Sequence, residues 1–438
     1  MGENLCVAIV GAGPAGYYTA EALTKGHDDV CVDIIDRLPT PYGLIRAGVA
    51  PDHQSIKNVF KRYEATNLQD NVRFVGNLSL GRDITLIELL DLYDAVILAT
   101  GAAKDRALGI DGENLKGVIG SACFVGWYNS HPDFTHLDPA LNIPAVAVIG
   151  NGNVAIDVAR ILAKTPEEMA QTDIAKHAAT ILEKSAIKDI YILGRRGPLE
   201  GSFTPKELAE LNNLDRCVAL VDPKQLPSEE DLPNDLGGGI KKNLVALRSM
   251  SNNKPTDKPV RLHIKFYVRP VTIIGDEEGH VKNILLERTK IIDGKAFGTG
   301  EIESLDVGLV VPCIGYKTSP IADVPYNVSK GHFENNLSHI RDHLYCVGWA
   351  KRGPTGTIGT NKPDGISVAN RILEEVKPSG RLGRVGLDRI IKERDLEIIT
   401  FHDWKIIEAA EHAAAKNGSP RIKFTEIDDM IHVAHPEG

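Results

Sequence analysis

Near its N-terminus the chain reads LCVAIVGAGPAG (residues 5–16), an apolar run followed directly by glycines in a G-x-G-x-x-G spacing. The same order recurs in AVAVIGNGNVA (residues 145–155), where alanine takes the third glycine position. Each stretch predicts a strand, a tight turn and the start of a helix. The first glycine allows the turn, the second lets the backbone approach a pyrophosphate, and the third position lets helix and strand pack closely. Two such stretches predict two dinucleotide sites.

The residues downstream of each motif distinguish the two nucleotides. After the first motif, the predicted second strand ends at Asp36, where a carboxylate accepts hydrogen bonds from the ribose hydroxyls of FAD or NAD. After the second motif, the matching strand ends in Gly194-Arg195-Arg196-Gly197. Because guanidinium groups bind phosphate bidentately, this end favours the 2′-phosphate of NADP. The alternatives are an ordinary turn acid for Asp36 and a solvated loop pair for the arginines.

The order of predicted elements indicates an α/β protein with two Rossmann-like dinucleotide-binding domains of the three-layer ββα type, the NADP domain being inserted into the FAD domain. We expect residues 1–106 and 326–438 to form a discontinuous FAD-binding domain, and residues 107–325 to form the NADP-binding domain. A late glycine-rich loop returns the chain to the first domain, so that a helix N-terminus near residues 356–358 faces the flavin ring.

Composition excludes several classes of protein. The 438 residues are 42% apolar and 25% charged, as in a globular chain, and the formal net charge of −9 argues against nucleic-acid binding. No apolar run reaches the roughly 18 residues of a membrane-spanning helix. Because the first predicted strand begins at Leu5, we expect no signal or transit peptide and a cytoplasmic location.

The cysteines carry no redox or metal motif. No C-x-x-C pair occurs, which argues against the dithiol of thioredoxin-reductase-like enzymes and against a cluster-binding run. We therefore expect no metal site and interpret the thiols as structural groups in a reducing compartment. The cysteines are Cys6, Cys31, Cys123, Cys217, Cys313 and Cys346.

Several longer motifs resemble one known family, the adrenodoxin-reductase-like ferredoxin–NADP reductases. The motifs are PYGLIRAGVAPDH (41–53), GWYN (126–129), GNGNVAIDVAR (150–160), GRRGPL (194–199) and GWAKRGPTG (348–356). The resemblance covers the chain to about residue 376 and implies an enzyme, a ferredoxin–NADP(+) reductase that carries electrons from NADPH through FAD to a small iron–sulfur protein. The tail after about residue 380 is expected to lie outside the mammalian-type members.

The glycine motifs and the resemblance together imply the cofactor contacts. For FAD they are Gly11, Gly13, Pro14, Ala15, Gly16, Asp36, Leu44, Leu80, Trp349, Gly356, Thr357 and Ile358. For NADP they are Gly150, Asn151, Gly152, Asn153, Val154, Arg195, Arg196, Glu207 and again Gly356. Two positions depart from the family: Asp36 stands where many members have glutamate, and Ala209 where relatives often have arginine.

Three of these side chains are given roles in the reaction. The resemblance implies that His53 lies near flavin and nicotinamide, where it donates a hydrogen bond or relays a proton; the alternative is a structural histidine. Glu207 is expected to orient Arg196 or to meet the nicotinamide ribose, the alternative being a solvated helix acid. Trp349 is expected to cover the flavin edge, with a core tryptophan as its alternative.

The electron acceptor is the last prediction. Five cations are candidates for docking an acidic ferredoxin-type iron–sulfur protein: Lys241, Lys242, Arg248, Lys351 and Arg352. The alternative for this set is a solvated face. Two other functions stay open, a flavoprotein NADPH reductase that passes electrons to quinones or to a larger enzyme partner, and a non-catalytic flavin-bound redox scaffold.

Overall fold

The computed structural model describes residues 4–233, 235–255, 258–416 and 418–436. Its strands are β1 (Leu5–Val10), β2 (Val30–Ile35), β3 (Val72–Val75), β4 (Ala95–Leu98), β5 (Lys104–Asp105), β6 (Ala145–Ile149), β7 (Asp189–Leu193), β8 (Cys217–Val221), β9 (Val260–Lys265), β10 (Val268–Gly275), β11 (Val281–Ile292), β12 (Lys295–Asp306), β13 (Leu309–Pro312), β14 (Tyr316–Lys317), β15 (Tyr326–Asn327), β16 (His332–Phe333), β17 (His339–Arg341) and β18 (Leu344–Cys346). Its helices are α1 (Pro14–Thr24), α2 (Leu44–Ala47), α3 (Gln54–Lys57), α4 (Phe60–Asn67), α5 (Leu86–Leu92), α6 (Ser121–Tyr128), α7 (Asn153–Ala163), α8 (Pro166–Ala170), α9 (Lys176–Glu183), α10 (Pro205–Glu210), α11 (Gly238–Ser251), α12 (Trp349–Arg352), α13 (Asn361–Glu375), α14 (Gly383–Glu393), α15 (Phe401–Ala413) and α16 (Ile427–Ala434).

The first sheet has the order β17-β18-β4-β1-β2-β3, and only β17 runs antiparallel to its neighbour. Its central strand β1 is apolar without alternation because both faces of the sheet are covered, as is usual for parallel strands. Helices α1 and α13 pack on one face, and α5 and α14 pack on the other. Strands from both ends of the chain meet in this sheet.

The second sheet has the order β13-β6-β7-β9-β8 and is parallel throughout. Helix α7 lies on one face, and the antiparallel sheet β10-β11-β12 shares a core with the other face. The two-domain α/β fold that the sequence predicts is confirmed. Among the described residues, no helix is both long enough and apolar enough to cross a membrane.

The C-terminal helices complete the first core. Trp404 and Ile407 of α15 are fully buried there, and Met430 of α16 is 1% exposed. The Trp404 ring makes an edge-to-face contact with Tyr42, and the Arg46 guanidinium lies over its indole. The tail is therefore an integral part of the first domain.

Candidate active site

The first glycine turn is tightly packed except at one point. Gly11 has a φ of +116°, and a Cβ there would lie 2.4 Å from the Ala99 carbonyl oxygen. A Cβ at Gly16 would lie 2.2 Å from the Gly11 carbonyl oxygen. A Cβ at Gly13, in contrast, would meet nothing within 4 Å. The open space beside Gly13 fits the close approach of a pyrophosphate.

Helix α1 begins at this open space with its first N–H groups free of side-chain caps. Gly13 is the N-cap, Pro14 follows it, and the first turn carries no acid. Such an end attracts an anion through its unpaired N–H groups. The second motif repeats this geometry: Gly150 has a φ of +143°, a Cβ at Gly152 would meet nothing within 4 Å, and α7 begins without a side-chain cap.

Asp36 lies against the first turn. Its Oδ2 accepts a hydrogen bond from the Ala12 N–H at 2.8 Å, and its Oδ1 accepts one from the Leu38 N–H at 3.0 Å. Burial raises the pKa of this carboxyl, while the two backbone donors stabilise its charged form. A carboxylate has about four acceptor sites, so Asp36 can still accept the hydroxyls of a ribose.

The returning loop lies on α1. Gly348 has a φ of +68°, and a Cβ there would lie 2.6 Å from the Ala15 Cβ. Trp349 is half-buried, stacks on Tyr316 with ring centroids 6.1 Å apart, and donates its Nε1–H to the Thr355 carbonyl oxygen. A 3-10 turn over Ile358–Thr360 leads directly into α13, which begins at Asn361.

The remaining predicted flavin contacts flank the same region. Gly356 has a φ of +85°, and Thr357 is the N-cap of the 3-10 turn. Leu44 is 45% exposed at the start of α2, and Leu80 is half-buried at the edge of the core that covers the outer face of the first sheet. Their part in binding flavin stays a prediction.

Two cations of the returning loop bind an acid within it. Lys351 Nζ donates to Asp364 Oδ1 at 2.7 Å, and Arg352 donates to Asp364 Oδ2. The same Oδ2 accepts the Gly348 N–H at 2.8 Å. Lys351 and Arg352 therefore fix the loop, and Asp364 offsets one of their two charges. Their role in docking a partner stays a prediction.

Arg195 and Arg196 follow β7 as predicted. Their carbonyl oxygens accept hydrogen bonds from Thr289 Oγ1 and from the Tyr267 N–H, so the backbone is held in place. In the described part of the chain neither guanidinium makes an ion pair or hydrogen bond with a side chain or the backbone. Two unpaired guanidinium groups on a fixed turn are what a 2′-phosphate requires.

Asn151 and Asn153 shape the second turn. The Asn151 carbonyl oxygen accepts the Ser202 N–H at 2.7 Å, and Asn153 Oδ1 accepts the Thr204 N–H at 2.7 Å. Asn151 Oδ1 is buried without a hydrogen-bond partner among the described residues. An orphaned acceptor beside an open glycine fits a polar ligand there.

His53 lies between the two domains. Its Nε2 is 2.9 Å from Glu210 Oε2, and its Nδ1 is 4.0 Å from Asp157 Oδ1. The ring is only about one-tenth exposed. Glu210 was not predicted; its signal is the spacing of three from Glu207 on α10, which puts both acids on one helix face. Reasoning from sequence selected only the first of the two.

Glu207 faces the same cluster. Burial raises the pKa of its carboxyl, with the Asp157 charge as the next cause, and its Oε2 has no hydrogen-bond partner among the described residues. No ion pair within those residues joins Glu207 to Arg196. The acid therefore lies with His53 and Asp157, and the expectation that it orients Arg196 gains no support from the contacts.

A groove of about 880 Å³ is lined by residues of α10 and α11. Three exposed lysines line it, Lys206, Lys241 and Lys242. Within the described ranges no carboxylate pairs with them. Arg248, from the same predicted set, pairs with Glu229 and donates to the Pro227 carbonyl oxygen. The available positive charge is thus concentrated in the groove.

Comparisons with known proteins agree with this geometry. A sequence model described as pyridine nucleotide-disulphide oxidoreductase matches residues 6–192. NADPH-ferredoxin reductase FprA of Mycobacterium leprae (strain TN) is 38% identical over 450 residues, covering 98% of this chain and 98% of that protein. The mitochondrial NADPH:adrenodoxin oxidoreductase of Homo sapiens is 36% identical over 449 residues, covering 98% of this chain and 91% of that protein. The prediction that the tail lies outside the mammalian-type members is therefore wrong.

The solved structures include a close match in three dimensions. Mycobacterium tuberculosis FprA in complex with NADPH superposes with a TM-score of 0.94 at 38% identity, covering 98% of this chain and 99% of that one. The agreement extends over both sheets and the C-terminal helices, since almost nothing of either chain is left out.

Proposed function

The chain belongs to the NADPH–ferredoxin reductase family, which includes the mitochondrial adrenodoxin oxidoreductases, and we propose that it is an FAD-dependent ferredoxin–NADP⁺ reductase. It moves electrons between NADPH and a ferredoxin-type iron–sulfur protein. One observation carries the proposal: two open glycine turns, one beside Asp36 and one beside Arg195 and Arg196, belong to two domains that meet at His53.

The residues present fit both nucleotides. When bound, FAD supplies the step between two-electron chemistry with nicotinamide and one-electron chemistry with an iron–sulfur centre. The turn at Gly13 and the N-terminus of α1 hold its pyrophosphate, and Asp36 accepts its ribose hydroxyls. The turn at Gly152 holds the NADP pyrophosphate, and the two arginines bind its 2′-phosphate. Hydride transfer needs no protein nucleophile, so position and electrostatics are the protein's contribution.

His53 holds a proton at the junction of the two sites. Its Nε2 shares a hydrogen bond with Glu210 Oε2, and Asp157 faces its other nitrogen. Two acids thus face the buried imidazole, one at each ring nitrogen, and fix its orientation. The interface also excludes water, because the His53 and Asp157 side chains are only 10% and 16% exposed.

The groove between α10 and α11 receives the acidic partner. Lys206, Lys241 and Lys242 give it positive charge, and Val245, 69% exposed, gives it an apolar contact. Ala209 also lines the groove, so the arginine that relatives often have there is absent. Lys206, three residues earlier on the same helix, supplies a cation near that position.

An omission assay tests this function. Purified protein is mixed anaerobically with NADPH and a [2Fe–2S] ferredoxin, and the visible absorbance of the ferredoxin is followed. We expect ferredoxin reduction only when protein, FAD and NADPH are all present, with NADH far less effective. Rapid reduction of quinones without reduction of any ferredoxin would instead favour a quinone-directed reductase.

We also propose how the chain divides into domains and where in the cell the protein lies. The first domain comprises residues 1–106 and 326–438, and the second comprises residues 107–325. In support, the early strands β1–β4 and the late strands β17 and β18 share the first sheet, and β5 pairs with β14 where the chain crosses between the domains. The six cysteines are unpaired, as in a reducing compartment, which supports a cytoplasmic location. Limited proteolysis and cell fractionation test these two points.

A further inference from the structure

The Arg160 guanidinium lies behind His53 at the junction of the domains. Its side chain is 1% exposed. Its Nε donates to Asp52 Oδ2 at 2.7 Å, and its Nη2 donates to Asp52 Oδ1 at 3.0 Å. Because Asp52 directly precedes His53, this bidentate bond ties α7 of the second domain to the segment of the first domain that carries the imidazole.

The two acids that face His53 also face Arg160. Glu210 Oε2 is 2.9 Å from His53 Nε2 and 3.7 Å from Arg160 Nη1. Asp157 Oδ1 is 4.0 Å from His53 Nδ1 and 2.8 Å from Arg160 Nη2. Imidazole and guanidinium therefore share the same two oxygens, one at each ring nitrogen.

We propose that Arg160 is a positioning residue, which fixes the His53 imidazole between Glu210 and Asp157 and limits the negative charge around it. The proposal rests on the proposed function, because that function gives His53 its place beside flavin and nicotinamide. Arg160 itself contacts acids, and its effect on the reaction passes through His53.

The charged groups around His53 show why the Arg160 guanidinium affects the imidazole. The acids are Asp52, Asp157, Glu207 and Glu210, the cations are Arg160 and Lys164, and the Tyr128 hydroxyl lies among them. Lys164 Nζ is 2.8 Å from Asp52 Oδ2, so it offsets that acid. Removing the Arg160 charge takes away the cation that offsets Glu210, whose Oε2 lies 2.9 Å from the imidazole. Opposite charges within about 4–6 Å favour the charged imidazole.

Arg160 also acts on the acids themselves. Although burial opposes ionisation, Arg160 and Lys164 lower the pKa of Asp52 well below its usual range. Burial instead raises the pKa of Asp157, for which Arg160 is the main opposing influence. The guanidinium thus opposes the protonation that burial favours in both acids, and Asp52 has Lys164 as a second cation.

The test is an NMR titration of the His53 ring in the oxidised, FAD-loaded protein, with its signal assigned by a His53→Gln variant. In Arg160→Gln we expect the titration midpoint to move up by about one pH unit or more. Arg160→Lys keeps a charge but loses the bidentate bond to Asp52, so its midpoint moves up by less. The pH profile of kcat should shift with the midpoint.

Arg73→Gln is the matched control. Arg73 also makes a bidentate pair, with Asp33, but lies in β3 and touches no acid that faces His53. Its loss should leave the His53 titration unchanged. A midpoint in Arg160→Gln equal to that of the wild type, with FAD retained, would overturn the proposal by making Arg160 only a structural tie.

A second variant covers the case in which Arg160→Gln does not bind FAD. The Arg160→Lys variant then decides, because a lysine cannot bind Asp52 bidentately while also reaching Asp157 and Glu210. If the His53 titration midpoint in that variant equals that of the wild type, the proposal is also overturned. Ferredoxin reduction by the wild type is measured in the same preparation. Its absence would refute the proposed function, whereas the His53 titration stands or fails by itself.

Discussion

Gly13 and Gly152 are the residues at which cofactor binding can be separated from folding. Their φ values are −88° and −130°, which any residue adopts. A Cβ at either position would meet no protein atom within 4 Å. Alanine is therefore expected to fold at both positions, and any defect reports on a ligand that needs the space.

The two alanine variants should fail in different ways. Gly13→Ala is expected to purify with its FAD content reduced about tenfold, because the methyl group occupies the pyrophosphate position. Gly152→Ala should keep its FAD and show a KM for NADPH raised about tenfold. Flavin absorbance per protein and steady-state kinetics measure the two effects. Flavin loss in the second variant rather than the first would reverse the assignment of the sites.

Coenzyme choice depends on Arg195 and Arg196. Each charge-assisted contact with a phosphate contributes about 1.5–3 kcal/mol, so changing both to alanine should weaken NADPH binding at least about tenfold. NADH lacks the 2′-phosphate, and its binding should change little. Comparing kcat/KM for the two coenzymes checks this. An equal loss for both would place the phosphate elsewhere.

At the scale of elements, α10 and α11 form the groove that we propose docks the ferredoxin. Lys241→Glu with Lys242→Glu should slow ferredoxin reduction at low salt and leave reduction of neutral quinones almost unchanged. Salt should reproduce this defect in the wild type, because charges more than about 8 Å apart are screened at physiological ionic strength.

The control for net charge lies on another helix. Arg389→Glu with Lys392→Glu makes the same charge change on α14, where both side chains are exposed. We expect no selective loss of ferredoxin reduction in that variant. If both double variants were equally impaired, overall charge rather than the groove would govern association.

The C-terminal segment joins the domains through a buried lysine. Lys423 Nζ donates to the Arg46 carbonyl oxygen at 3.2 Å and lies 3.3 Å from Asp173, which also binds Lys57. Burial lowers the pKa of Lys423 to about 7, against about 10.4 in an unfolded chain. Between these values the unfolded chain binds the extra proton, so stability rises with pH through that window.

Lys423→Met should remove this part of the pH dependence. The gain in wild-type stability from pH 7 to pH 9, at most about 1.4 kcal/mol per pH unit, should be smaller in the variant. Melting temperatures at several pH values measure it. Lys405→Met is the control, because Glu408 and Glu64 outweigh partial burial and raise the pKa of Lys405. Parallel curves for wild type and Lys423→Met would contradict the account.

Features that depend on residues close together in the chain could be predicted from the sequence. The turns at Gly11 and Gly150 could be located because positive φ, close packing and an open second glycine all follow from neighbouring residues. Asp36 and the Arg195-Arg196 pair could be located because the ends of adjacent parallel strands lie at the same edge of a sheet. These features carry the proposal of which nucleotide each site takes.

Contacts between distant segments could not be predicted in the same way. Glu210 lies 157 residues from His53 in the chain, and Arg160 lies 108 residues from Asp52. Such pairs depend on how the two domains meet, which no spacing in the sequence encodes. The pairing of Lys351 with Asp364 was not predicted either, and the docking role of Lys351 stays a prediction.

At the scale of the whole molecule, the function requires that the two electrons of one NADPH pass one at a time to two ferredoxin molecules. The sharpest test counts them: a limiting amount of NADPH is added anaerobically to catalytic protein with excess [2Fe–2S] ferredoxin, and reduced ferredoxin is measured by absorbance. We predict two ferredoxins reduced for each NADPH oxidised, dependent on bound FAD. Oxidation of NADPH with bleaching of the flavin but no reduced ferredoxin would contradict the account.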